Sequence, residues 1–213
     1  MSGKSLSIIF LFVLSCYQSE SAEVRDKFIE EKIVPDVLDD IPDIAMLSVN
    51  YPSGVTVELG NVLTPTQVKD KPTVEWTKED GVYYTLLMTD PDAPSREDPS
   101  LGEVRHWLVV NINNQDVGET IVEYIGSGPP LDTGLHRYIF LLFKQIEGYT
   151  NFDLPFVSDR SLPERVNTST KELMDNYDLE LVAGSFYQAE YDDYVPILFA
   201  QLSGKTIKCS TVQ

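Results

Sequence analysis

Asp90 closes one apolar run, from Tyr83 to Thr89, and His106 opens the next, from His106 to Ile112. That placement constrains the chain more than any other feature. Both runs alternate with period two, the pattern of strands with one face buried. A carboxylate ending one strand meets an imidazole beginning the next only if the two are antiparallel neighbours joined by the 91–105 loop. A third run, from Leu135 to Phe143, carries the chain's other histidine, His136, at its start. His136 joins the first two groups only if the 113–134 connection returns the chain to the same end, as in a Greek key. The expected fold is therefore mostly β, a Greek-key β-sandwich.

Further strands are predicted at 47–51 and 55–59, around the Pro52-Ser53-Gly54 turn, and at 73–76 and 184–190. Val24, Phe28, Ile29 and Ile33 have the spacing of a short N-terminal amphipathic helix that Pro35 would end, packed on the outside of the domain. Two C-terminal helices are expected at the periphery. One starts where hydroxyls of Thr168, Ser169 and Thr170 precede Glu172, Leu173 and Met174. The other, within 191–202, tolerates Pro196 in its first turn and is closed by Gly204. With 213 residues and no compositional break, one core is expected.

Lys4, the apolar stretch from Leu6 to Leu14 and the small residues Ser19, Ser21 and Ala22 read as a secretory signal peptide. The apolar stretch is shorter than the roughly 20 residues of a membrane span. The expected division is a signal peptide at 1–22, an extension at 23–44, the domain at 45–204 and a tail at 205–213. Cleavage would remove Cys16 and leave Cys209 alone, so no internal disulfide is expected in a secreted, extracellular protein. Asn167-Thr168-Ser169 is a glycosylation acceptor sequence, with Asn167 the candidate. Sixteen Lys and Arg against 34 Asp and Glu give a net charge of -18, which repels nucleic-acid phosphates and anionic membranes. Neither nucleic acid nor a transmembrane segment is expected.

Alternation puts His106 on one side with Leu108, Val110 and Ile112, and His136 with Tyr138, Phe140 and Leu142. Each histidine alone reads as a satisfied core residue. Two of them beside Asp90, each after a Pro-containing loop, point to a pocket. Both imidazoles, the Tyr138 hydroxyl and the N–H groups of 126–128 offer donors to an anion, while Asp90 suits an ammonium group. Acidification from pH 8 to 6 is then expected to charge the histidines and strengthen anion binding. Gly126-Ser127-Gly128-Pro129-Pro130 is no nucleophile elbow, and the histidines lack metal-ligand spacing. No catalytic residue, metal or cofactor is expected. Arg96 and Asp92 read equally as ligand contacts or as loop-stiffening ion pairs.

Residues 63–68 (LTPTQV), 89–96 (TDPDAPSR), 106–111 (HWLVVN), 126–130 (GSGPP), 133–138 (TGLHRY) and 187–196 (YQAEYDDYVP) together resemble the phosphatidylethanolamine-binding protein family, which includes the Raf kinase inhibitor proteins. The resemblance spans 47–204. It implies a β-sandwich with peripheral helices and an anion pocket at Asp90, His106, Pro130, His136 and Tyr138, with Asp92, Gly128 and Phe199 as further candidates. The implied function is binding of phosphate-bearing, phospholipid-headgroup-like ligands, or alternatively inhibition of a peptidase or regulation of signalling. Animal members often carry an aromatic residue where this chain has Val104 and tyrosine where it has Phe199, so the ligand preference is expected to differ. A signal peptide also departs from the cytosolic members of the family.

Overall fold

The computed structural model describes residues 20–204. Residues 1–19 of the expected 1–22 signal, with Cys16, and the 205–213 tail, with Cys209, lie outside the described residues, while residues 20–22 begin α1. In chain order the elements are helix α1 (20–30), the single turn α2 (Ile33–Asp36), β1 (Ala45–Met46), β2 (Ser48–Asn50), β3 (Thr73–Glu75), β4 (Tyr84–Asp90), β5 (Val104–Ile112), β6 (Glu119–Val122), β7 (His136–Gln145), α3 (Thr170–Tyr177), β8 (Leu179–Ala189) and α4 (Val195–Leu202).

The fold is mostly β. Strands β4 and β7 are buried on both faces, and such strands have to lie inside a sheet between two covering layers. They form the middle of a mixed six-stranded sheet of order β1-β8-β7-β4-β5-β6, in which only the β1–β8 pairing is parallel. A separate two-stranded sheet pairs β2 with β3. The expected turn at 52–54 is present, with the Tyr51 N–H donating to Val55 O at 2.9 Å and the Val57 N–H to Val49 O at 3.0 Å.

On one face, Leu87, Leu108, Val110, Ile139 and Leu141 pack against Phe28, Ile33, Leu38 and Ile44 of the N-terminal segment and Leu173 of α3. On the other, Leu86, Met88, Trp107, Tyr138 and Phe140 meet Leu47, Val49, Tyr51 and Val68. The N-terminal segment is thus a layer of the core and more than the external helix expected from sequence. Phe28 is fully buried, edge-on to Phe186 with ring centroids 5.7 Å apart. Its ring tip also approaches Gly184, where a Cβ would stand 2.8 Å from Phe28 Cζ. Gly184 is therefore a mid-strand position that accommodates a ring, and β8 begins at Leu179, five residues before the expected start. Helix α1 ends at residue 30, with Lys32 at φ 58°, so Pro35 does not end it as expected but lies inside the single turn α2.

Irregular chain covers both sheet edges. Leu47 N–H donates to Gly184 O, Gly60 N–H to Phe186 O and Leu63 N–H to Gln188 O along β8. Val157 N–H donates to Ile121 O along β6. Among the described residues, no helix is long and apolar enough to cross a membrane.

Ser169 caps α3 through its hydroxyl, which accepts the Glu172 N–H at 3.2 Å. Ser169→Ala in unglycosylated protein is expected to cost about 1 kcal/mol in urea unfolding, and Ser169→Thr much less. Equal stability of the two variants would show that the cap contributes nothing.

Candidate functional site

Strands β5 and β7 both run antiparallel to β4, so the last residue of β4 lies beside the first residues of its two neighbours. Asp90 pairs with Val104, and Thr89 with Ile139. This brings Asp90, His106 and His136 to one sheet end.

His106 does not keep the side that alternation predicts. Met88 pairs with Trp107 but Thr89 with Arg105, so His106 is the extra residue of a β-bulge. The bulge turns its ring to the face of Tyr138, edge-on at 5.2 Å between centroids, while Leu108 and Val110 face the N-terminal layer. A second slip, between Tyr84 and Leu86, puts Ile112 on the Tyr138 face as well.

A cavity of about 150 Å³ opens at this end. Asp90, His106, His136 and Tyr138 line it, with Gly128, Pro130 and Phe199 beside them. Seven of the eight candidate ligand residues thus line one space. Asp92 does not. Its carboxylate is buried against the Arg137 guanidinium, at 2.6 Å to Nη2 and 2.9 Å to Nε, and it accepts the Arg137 N–H at 2.8 Å. Asp92 therefore stiffens the loop, which corrects its candidacy as a ligand contact. Arg96 likewise pairs with Glu31.

Asp90 Oδ1 accepts the Asp92 N–H at 2.7 Å, and Oδ2 lies 3.0 Å from His136 Nδ1. The other nitrogen of His136 is 3.0 Å from Thr133 Oγ1, so both ring nitrogens have partners. His106 Nδ1 faces the carbonyls of Ile125 and Gly126 at 3.2 and 3.1 Å. Burial pushes the His106 pKa down to about 4, despite the Asp90 charge. The expectation that this ring gains charge between pH 8 and 6 is therefore not met. Burial, with the Asp90 charge, drives the Tyr138 phenol well above its usual value, so the hydroxyl keeps its proton. Gly128 N–H donates to it at 3.3 Å. The Ser127 hydroxyl pairs with Tyr187, at 2.6 Å, and with neither histidine.

Sequence reasoning missed Thr133 and the apolar walls Leu101, Ile125, Leu162, Val166 and Leu198. Thr133 stands three residues before His136, where its orienting role carried a local signal. The walls come from distant segments and carried none. Gly128 approaches Leu198 closely, since a Cβ there would stand 2.9 Å from Leu198 Cδ2. Asn167 is exposed. A larger open cleft of about 540 Å³ lies over the Arg137–Asp92 and Arg96–Glu31 pairs, whose charges are already matched.

Residues 53–187 match the family model described as phosphatidylethanolamine-binding protein. The chain is 33% identical over 209 residues to "Putative odorant-binding protein A5" of Drosophila melanogaster, covering 96% of this chain and 99% of that one. Among solved structures it is similar to the solution structure of CG7054, with 44% identity, a TM-score of 0.65 and coverage of 81% and 99%. It is also similar to a carboxypeptidase Y inhibitor in complex with its cognate proteinase, with 27% identity, a TM-score of 0.68 and coverage of 80% and 96%.

Proposed function

Since this chain belongs to the phosphatidylethanolamine-binding protein family, we propose that it is a secreted binding protein, without catalytic activity, whose cavity takes the phosphate-bearing, headgroup-like end of a small ligand. The observation that carries this reading is the convergence of Asp90, His106, Pro130, His136 and Tyr138 on one cavity with apolar walls. The polar side chains among the lining suit a head group, and the apolar ones a hydrocarbon body. Relatives named for odorant binding and for peptidase inhibition agree with a binding role.

We read residues 1–22 as the cleaved signal, 205–213 as a tail, and 23–44 as an extension packed into the 45–204 domain. The strand order β7-β4-β5-β6, with β7 returning beside β4, supports a Greek-key connection. The small β2–β3 sheet serves as the second layer of a sandwich. Asn167 is read as a glycosylation site because it is exposed.

Native mass spectrometry of protein recovered from the medium of a eukaryotic secretory host tests these points together. The expected masses show an N-terminus near residue 23, a glycan lost in Asn167→Gln, and a retained small molecule. His136→Ala, which leaves the Asp90 charge without its imidazole partner, is expected to reduce retention at least tenfold, about 1.4 kcal/mol, with an unchanged circular dichroism spectrum. Retention equal to wild type would remove the cavity from the binding role.

A second reading, inhibition of a peptidase, is favoured by the likeness to the carboxypeptidase Y inhibitor. Saturable inhibition of a serine carboxypeptidase that survives His136→Ala would support it, with the acidic surface as the contact.

A further inference from the structure

We propose that the cavity reads an acid proton on its ligand: it takes the singly charged, protonated form of a phosphate monoester with a short apolar substituent, and His106 Nε2 accepts that proton's hydrogen bond. The inference rests on the head-group reading above and narrows it.

His106 Nδ1 faces only the carbonyl oxygens of Ile125 and Gly126. Carbonyls accept and never donate, so Nδ1 carries the hydrogen. In a neutral ring Nε2 then presents a lone pair. It has no partner among the described residues, and the ring lines the cavity.

The surroundings keep the ring neutral. Asp90 is the facing carboxylate, and its oxygens are engaged by the Asp92 N–H and His136. Buried Arg165 donates to His106 O at 3.2 Å and opposes a second positive charge. Tyr138 presents a protonated phenol. His106 is 4% exposed, and its burial holds the pKa near 4. His136 cannot take the same role, because Asp90 and Thr133 occupy both its nitrogens.

Among the described residues, no Lys or Arg lines the cavity, while Asp90 does. A phosphate dianion would lose its hydration there without a compensating cation. A monoanion loses less, donates its O–H to Nε2 and accepts from the Tyr138 hydroxyl. The volume of about 150 Å³ equals about five waters. That holds a phosphate group and a few carbons, which would meet Leu101, Val104, Leu162 and Phe199.

Butyl phosphate and butyl sulfate have nearly the same shape, and near pH 5.5 both carry about one negative charge. Only the phosphate retains an acid proton, lost near pH 6. Calorimetric titration is expected to show butyl phosphate at least tenfold tighter than butyl sulfate at pH 5.5. Its affinity should then fall about tenfold for each pH unit above the ligand's pKa. His106→Phe, which keeps a ring but presents no acceptor to the cavity, should admit butyl sulfate and narrow the gap.

Butyl sulfate binding as tightly as butyl phosphate at pH 5.5 would overturn the proposal and leave the pocket reading intact, as would an unchanged gap in the folded variant. Should His106→Phe not fold, the wild-type comparison decides alone. Failure of both ligands to bind at millimolar concentration would remove the head-group reading and this inference with it.

Discussion

Replacing Arg137 with methionine is expected to destabilise the fold by about 3–5 kcal/mol, the range for leaving one member of a buried ion pair alone. Arg137 is 2% exposed and Asp92 1%. The guanidinium meets both Asp92 oxygens, donates to Glu31 O at 2.7 Å and pairs with Asp36 at 2.9 Å. It therefore ties the loop after Asp90 to the N-terminal layer, and methionine would strand a buried carboxylate. Arg137→Lys keeps the charge but loses the planar fork, so it should recover only part of the stability. Removing the orphan as well, in Arg137→Met with Asp92→Leu, should be less harmful than Arg137→Met alone. Urea unfolding of the four proteins checks this, and near-wild-type stability of Arg137→Met would show that the pair does not hold the layers together.

The second large effect is a loss of stability in acid caused by His106. Its folded pKa is about 4, lowered mainly by burial, against 6.5 for a free side chain. Between these values the unfolded chain binds a proton that the folded chain does not, so stability falls as pH drops. The contribution is fully present above about pH 6.5 and lost progressively towards pH 4, and a shift of this size is worth about 3 kcal/mol. His106→Gln removes the titration while leaving an amide to donate to Ile125 O and Gly126 O. Unfolding free energies measured from pH 7 to 4 should therefore fall more steeply for wild type than for the variant. Parallel curves would mean that the ring titrates alike in the folded and unfolded chains, which would also undermine its role as a neutral acceptor.

Much of the sheet was legible because alternation and turn residues are local signals. The strands at 84–90, 104–112 and 136–145, and Ser169 at the start of α3, agree with the sequence reading. Strand β6 was not legible, since Glu119-Thr120-Ile121-Val122 is short and only its last residue is buried. Gly184 read as a strand boundary because the ring that demands it, Phe28, lies 156 positions earlier in the chain. The bulge at His106 was invisible for a related reason. A register slip is a property of two strands, and it reversed the face of the very residue on which the site depends. The polar lining could be anticipated because each member sits at a strand end beside a rigid loop. The walls could not, because Leu101, Leu162 and Leu198 belong to segments joined only by tertiary folding.

The covered sheet edges bear on how the molecule behaves in a crowded solution. An open strand offers a row of amides and carbonyls onto which a foreign chain can zip, which is how many β proteins start to aggregate. Here the 11 residues of β8 would form such a template, rich in Leu, Val, Phe and Tyr, if the segments reaching Gly184, Phe186 and Gln188 peeled away. The chain that lies along that edge also continues from the N-terminal layer pinned by Arg137. A lesion that loosens that layer would therefore do more than lower stability. It would uncover a sticky edge in a protein that otherwise keeps its copies apart by a net charge of -18.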